Sequence, residues 1–277
     1  MTFRNRLEEY QIVPKKSLGQ NFLHDPNALE KIVTAAELMP EDAVLEIGAG
    51  LGQLTERLAE SARRVVAVEI DTRFKPALDD LLTAHPNVSV IYQDVLAVDV
   101  AGLFRPEPFV VVANVPYYIT TAILRHLLES DHRPRRLVLT IQVEVAERLV
   151  AQPDDMSILA ISVQFYGRPQ IITRLNRAVF WPRPDVDSAV LRIDTYDTPP
   201  VDVPDEATFF RIVKAGFGQK RKQLKNALGS GLGLNGDQTV ALLEAAGIDP
   251  RRRAETLSLD EWAALARNLA ALTAGGN

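Results

Sequence analysis

The sequence predicts an α/β protein: a largely parallel sheet wound with helices on its faces, followed by a small domain made only of helices. Three observations predict it. Between Ala43 and Tyr118, short β-branched runs alternate with helical patterns, as successive βαβ units require. The runs are almost continuously apolar, which is how strands buried on both faces read. Beyond a stretch at 194–205 that carries Pro199, Pro200 and Pro204, the pattern is helical alone.

The first helix is expected at 26–36, where apolar residues recur at three- and four-residue spacing. A strand follows at 44–47 (Val-Leu-Glu-Ile), then a helix at 53–60, a strand at 65–70, a helix at 72–83 and a strand at 88–92. The series continues with a strand at 110–113, a helix at 120–128, a strand at 137–141 and a helix at 143–150. Apolar runs at 159–165 and 189–193 read as two further strands, able to pair antiparallel at the sheet edge. Helices are expected at 206–215, 219–228, 236–246 and 258–271, which divides the chain into a larger domain, 1–197, and a small helical one, 198–277.

A chain of 277 residues can bury a substantial core in this arrangement. No apolar run spans a bilayer and the opening nine residues lack a signal-peptide core, so a cytoplasmic location without membrane association is the expectation. The absence of cysteine excludes disulfides, thiolate nucleophiles and cysteine-held zinc, and the four histidines are not spaced as metal ligands, so no metal site is expected. The net charge of −5 argues against a chain that coats nucleic acid by bulk electrostatics. Locally the balance differs: residues 211–225 hold six cations and no acid, and Arg251, Arg252 and Arg253 add a second cluster.

Glu46-Ile47-Gly48-Ala49-Gly50-Leu51-Gly52 closes the first strand and opens a helix, where glycines let a ligand approach the backbone and the helix dipole faces it. A dinucleotide fingerprint wants glycine or alanine at position 53, which is Gln53, and no Walker lysine is present. Glu69 ends the second strand, where a carboxylate accepts hydrogen bonds from both hydroxyls of a ribose, and Asp94 follows the third strand in reach of an adenine amine. An adenosine without a pyrophosphate is the ligand that these groups suit, and S-adenosylmethionine (SAM) is such a ligand. Alone, the glycines would equally make a tight turn; three strand ends together favour the ligand.

Asn114-Val115-Pro116-Tyr117 follows the fourth strand at the same sheet edge. The N6 lone pair of adenine is delocalised into the ring and is a poor nucleophile. The Asn114 side-chain oxygen and the backbone carbonyl after it can accept both N6 hydrogens and turn that lone pair toward a methyl group. Pro116 fixes the backbone that carries such a carbonyl, and Tyr117 can stack on an extruded base. By itself the motif also reads as a turn; its place downstream of a SAM loop favours the chemical reading.

These segments, together with 16–23, Gln93-Asp94, 142–149 and Phe180-Trp181-Pro182-Arg183-Pro184-Asp185-Val186-Asp187-Ser188, resemble the bacterial small-subunit ribosomal RNA adenine N6-dimethyltransferases, the kasugamycin-sensitivity family, in order and spacing through almost the whole chain. The resemblance implies a Rossmann-like SAM-dependent methyltransferase sheet with a small all-α C-terminal domain. It implies that Asn21 and Leu23 from an N-terminal segment at 1–24, Gly48, Glu69, Asp94 and Asn114 contact SAM, and that Phe180 stacks on the second face of the target base. The implied product is N6,N6-dimethyladenosine at two adjacent adenines near the 3′ end of 16S rRNA, made during small-subunit ribosome biogenesis by a monomer acting on a pre-30S particle. Ala49 stands where the family carries proline, a position whose contact is by backbone, and residues 155–159 depart from the family's Tyr-Gly-Arg-Leu.

The same resemblance gives Lys220, Arg221, Lys222 and Lys225 to rRNA phosphates, which supply affinity more than sequence choice. An ordinary solvated helix face remains the alternative for each, as for Lys15, Lys16 and the arginines at 251–253. Arg133, Arg135 and Arg136 read as plain surface residues, and Trp181 as a core aromatic. Two other functions stay open: adenine methylation of large-subunit rRNA, as in macrolide resistance, and a non-catalytic RNA-binding assembly factor.

Overall fold

A computed structural model describes residues 3–219 and 221–274. In chain order the elements are α1 (Phe3–Glu9), β1 (Phe22–Leu23), α2 (Pro26–Ala36), β2 (Ala43–Ile47), α3 (Gln53–Ser61), β3 (Arg64–Glu69), α4 (Lys75–Ala84) and β4 (Val88–Tyr92). There follow α5 (Val100–Phe104), β5 (Phe109–Asn114), α6 (Thr120–Leu128), β6 (Arg136–Gln142), α7 (Val143–Leu149), α8 (Ile158–Tyr166), β7 (Gly167–Leu175), β8 (Phe180–Trp181) and β9 (Ser188–Thr195). Four helices complete the chain: α9 (Glu206–Phe217), α10 (Leu224–Leu232), α11 (Gly236–Ala245) and α12 (Leu259–Ala274).

The main sheet has the order β4-β3-β2-β5-β6-β9-β7, while β1 and β8 form a separate antiparallel pair. Strands β4 to β6 are mutually parallel and β9 runs antiparallel to β6. All five residues of β2 are buried, which explains why this strand reads as apolar apart from Glu46. Helix α2 starts where the Asp25 carboxylate accepts the Ala28 N–H at 2.8 Å and Pro26 occupies the first turn, and it buries Leu29, Ile32 and Ala36.

Two compact units divide the chain: Met1–Ala146 with Arg168–Thr195, and Glu147–Gly167 with Tyr196–Asn277. The second unit thus takes in a segment that the expected limits of 1–197 and 198–277 assign to the larger domain. Its core centres on Trp262, Phe209 and Phe165, all fully buried, with the Phe165 and Phe209 rings stacked at 4.6 Å. Gly216 has no side chain because a Cβ there would strike the Trp262 ring at 2.3 Å. Asn235 and Gln238 cap α11 reciprocally.

One expected element is corrected. Residues 159–165 lie in helix α8, so they form no strand. The segment is mostly apolar, with Ala160, Ile161, Val163 and Phe165 buried, and a short apolar run cannot be assigned by periodicity. The local signal is Ser157, whose hydroxyl accepts the Ala160 N–H at 3.2 Å as an N-cap. The strand beside β9 is instead β7, whose alternation of exposed and part-buried residues, Arg168 to Arg174, is that of a sheet edge.

Candidate active site

The chain leaves β2 outward to β3 and β4, then returns to β5 on the other side of β2, so a crevice opens at the carboxyl ends of β2 and β5. The loop after β2 turns through Gly48, Gly50 and Gly52, with φ of 82°, 54° and 81°, a region that L side chains adopt at a cost. The Gly48 N–H donates to the Val68 carbonyl at 2.8 Å, and a Cβ on Gly48 would lie 3.6 Å from the Asn114 carbonyl. The loop therefore runs directly beside the end of β5 and leads into the N-terminus of α3.

Glu69 is buried, and its two carboxyl oxygens accept the Gly50 N–H and the Asp71 N–H, each at 2.8 Å. Burial raises its pKa against the effect of those two donors. Each oxygen keeps a further lone pair, the requirement for holding the two hydroxyls of a ribose. Asp94 is exposed, lines the cavity and caps the turn after β4, its Oδ1 accepting the Leu96 N–H at 3.0 Å. Beneath the loop, Glu46 is fully buried; among the described residues neither of its oxygens nor the Thr55 hydroxyl beside them has a partner of ordinary hydrogen-bond geometry. Burial pushes Glu46 up to about 8, with neighbouring Thr55 opposing and the Glu69 charge adding to the rise.

The Asn114 amide is held by one bond, Nδ2 donating to the Asn21 carbonyl at 3.0 Å. Among the described residues its Oδ1 accepts no hydrogen bond, and Asn114 lines the cavity. The Pro116 carbonyl is taken by the Ile119 N–H at 3.2 Å, whereas no donor among the described residues reaches the Val115 carbonyl. Tyr117 is pinned through its hydroxyl, 2.8 Å from the buried Ser188 Oγ, and burial raises its pKa.

Among the residues expected from sequence, Asn21, Gly48, Glu69, Asp94 and Asn114 line one cavity, joined by Pro116 and Tyr117. Leu23 and Phe180 lie elsewhere. They face each other across the β1–β8 pair and belong to the apolar core, Phe180 being only 3% exposed. Leu23 also borders a smaller adjoining cavity that touches Gly48, Gly50 and Asn114. The cavity adds residues to which the sequence pattern assigns no role: Gln20, Ile70, Phe74 and Tyr118. Ile70 and Tyr118 are 51% and 63% exposed, and a large apolar residue directly after Glu69 is the available signal for the first.

In the helical unit Arg221, Lys222 and Lys225 are exposed and, among the described residues, make no ion pair; Lys220 lies outside the described residues. The arginine cluster at 251–253 differs, since Arg251 pairs with Asp249 at 3.0 Å, Arg252 with Glu261, and Arg253 with Glu255 at 3.9 Å.

Comparison with known proteins places this geometry in a family. The family described as Ribosomal RNA adenine dimethylase matches residues 13–271. Ribosomal RNA small subunit methyltransferase A of Moorella thermoacetica is 47% identical over 274 residues, covering 95% of each chain. The protein of the same name from Geobacillus kaustophilus is 46% identical over 276 residues, covering 96% of this chain and 94% of its own. Among solved structures, the 23S rRNA methyltransferase ErmE superposes with a TM-score of 0.73 at 28% identity, over 90% of this chain and 99% of that one. A dimethyladenosine transferase from Plasmodium falciparum shares the fold, with a TM-score of 0.77 at 24% identity over 92% and 98% of the two chains. This chain belongs to the ribosomal RNA adenine dimethylase family.

Proposed function

We propose that this chain transfers methyl groups from SAM to the N6 amines of two adjacent adenines in the 3′-terminal hairpin loop of 16S rRNA, making N6,N6-dimethyladenosine during small-subunit assembly. The observation that carries the proposal is the fixed Asn114 amide, whose nitrogen is engaged by the Asn21 carbonyl and whose oxygen accepts no hydrogen bond among the described residues. The two relatives at 46% and 47% identity are named as small-subunit methyltransferases, and the large-subunit enzyme is similar at 28%, which supports the choice of RNA.

The residues divide the work. Glu69 suits the ribose hydroxyls, Asp94 the adenine amine of the donor, and the glycine loop leaves room for its backbone contacts. When bound, SAM supplies a methyl group on a positively charged sulfur. Asn114 Oδ1 and the Val115 carbonyl accept the two N6 hydrogens of the target, which draws the lone pair out of the ring. Tyr117, anchored by Ser188, offers a ring to the extruded base. No strong base is needed, because the N6 proton becomes acidic only as the methyl arrives; positioning and preorganised acceptors do the catalysis.

Among the described residues no helix is long and apolar enough to cross a membrane. A cytoplasmic monomer acting on a pre-30S particle is the setting we infer, with Arg221, Lys222 and Lys225 on rRNA phosphates. The test is transfer from labelled SAM to unmethylated small subunits, large subunits and duplex DNA in parallel, with mass spectrometry of the nucleosides. Dimethyladenosine from small subunits alone is the expected result. Label in large-subunit RNA would move the function to the ErmE type, and SAM binding without transfer would favour an assembly factor.

A further inference from the structure

We propose that Asp71 is a positioning residue for the reaction: with Arg73 and Gln20 it clamps residues 13–20 to the end of β3, and so fixes both a wall of the cavity and the amide of Asn114. The inference rests on the SAM reading of that cavity.

Asp71 is buried, two residues beyond Glu69, and its N–H is already held by the Glu69 carboxylate at 2.8 Å. Its own carboxylate faces the N-terminal segment. Oδ1 accepts Arg73 Nε at 2.9 Å, while Oδ2 accepts Arg73 Nη2 at 2.5 Å and Gln20 Nε2 at 2.9 Å. Lys15 Nζ lies 3.7 Å away. The Gln20 amide is engaged at its other end too, since its Oε1 accepts the Lys15 N–H at 2.8 Å. Arg73 reaches past Asp71 to donate from Nη1 to the Val13 carbonyl at 2.9 Å. One turn after β3 thus binds the segment at Val13, Lys15 and Gln20. The Arg73 guanidinium, with the Gln20 amide and against the effect of burial, holds the Asp71 carboxyl well below the usual carboxylate range, so the clamp stays charged at neutral pH.

The consequence reaches the reacting group through one residue. Gln20 is followed by Asn21, whose carbonyl receives Asn114 Nδ2. A primary amide presents either an acceptor or a donor, and the Asn21 carbonyl selects the acceptor face for the cavity. With the segment displaced, Asn114 is free to turn its NH2 toward the target amine, which has hydrogens of its own. Leu18, Gly19 and Gln20 of the same segment line the cavity, so SAM binding depends on the clamp as well.

The experiment compares Gln20→Ala, Asp71→Asn and the double variant with the wild-type chain, by calorimetric SAM binding, by kcat at saturating SAM and by Tm. Each single variant is expected to weaken SAM binding about 10-fold and to lower kcat, with KM for small subunits within about 2-fold of wild type. The double variant should fall little below the weaker single one, because both break the same clamp. Gln20 is only half-buried, so Gln20→Ala decides the matter if Asp71→Asn fails to fold. Wild-type SAM affinity and kcat in Gln20→Ala, additive losses in the double variant, or a fall in Tm with unchanged binding would overturn the proposal. A wild-type chain that binds no SAM would overturn the cofactor reading beneath it.

Discussion

The two ends of the same sheet are built on opposite principles. At the amino end, charged groups are matched to one another: Asp42 with Arg135 at 2.6 Å, Arg136 with Asp194 at 2.7 Å and Glu37 at 3.1 Å, and Arg192 with Glu37 at 2.5 Å and Asp194 at 2.9 Å. At the carboxyl end, polar groups are held in place by one or two bonds to the backbone while further acceptor capacity stays open, as at Glu69, Asp94 and Asn114. Both ends are rich in acids and bases, so composition does not separate them. What separates them is whether the partners belong to the chain or must arrive with a ligand, and this is why polar groups that line the cavity with acceptor capacity to spare mark function.

The largest expected effect lies at the open end. Asn114→Ala should reduce methyl transfer about 1000-fold, the upper range for removing one preorganised acceptor of this kind, with SAM affinity within about 3-fold of wild type by calorimetry. Near-normal turnover would erase the contrast, since the free amide oxygen would then have no role. In the helical unit, replacing Arg221, Lys222 and Lys225 together by Ala should weaken small-subunit binding about 10-fold and reduce the slope of log K against log salt by about 0.7 for each phosphate that is no longer neutralised. SAM affinity should not change, and an unaltered salt slope would mean that these cations form a solvated face.

The matched end should behave differently. Asp194→Asn removes a carboxylate shared by two arginines at part-exposed positions, and is expected to cost about 1 kcal/mol of stability in denaturant melts while leaving kcat at the wild-type value. The smallest effect on activity is expected from Glu46→Gln. Because the folded pKa of Glu46, about 8, stands above its ordinary value of 4.5, the folded state binds this proton more tightly than the unfolded one. The stabilisation is complete below the ordinary value and is lost as pH rises through 4.5 to about 8, at a slope of at most about 1.4 kcal/mol per pH unit. Melts of wild type and Glu46→Gln across that window should diverge, with the variant gaining relative stability at higher pH; parallel curves would mean that Glu46 is charged throughout.

The parts of this arrangement legible in the sequence are those fixed by local rules. Continuous apolar runs announce β2, β3, β5 and β6, and strand ends that carry glycines, Glu69, Asp94 and Asn114 announce the crevice, because chain order alone brings parallel strand ends to one edge. Helix α8 reads as a strand because a short, mostly apolar run shows no clear helical period, and β7 escapes notice because its alternation is one of exposure and not of residue type, polar and apolar side chains following no two-residue repeat from Arg168 to Arg174. The bond from Asn114 to Asn21 and the clamp from Asp71 to Gln20 span 93 and 51 residues, and nothing in local pattern reports such pairings. Phe180 shows the converse, a residue singled out by its motif whose ring the fold packs into the core.

The most direct test of the claim that the open end of the sheet is the methyl-donor site is a crystal structure of the chain with SAM. The account predicts both ribose hydroxyls on the Glu69 carboxylate at about 2.6 to 3.0 Å, the adenine amine on Asp94, and the methyl group facing the Asn114 amide oxygen. SAM bound elsewhere, or bound here with its ribose turned away from Glu69, would contradict it.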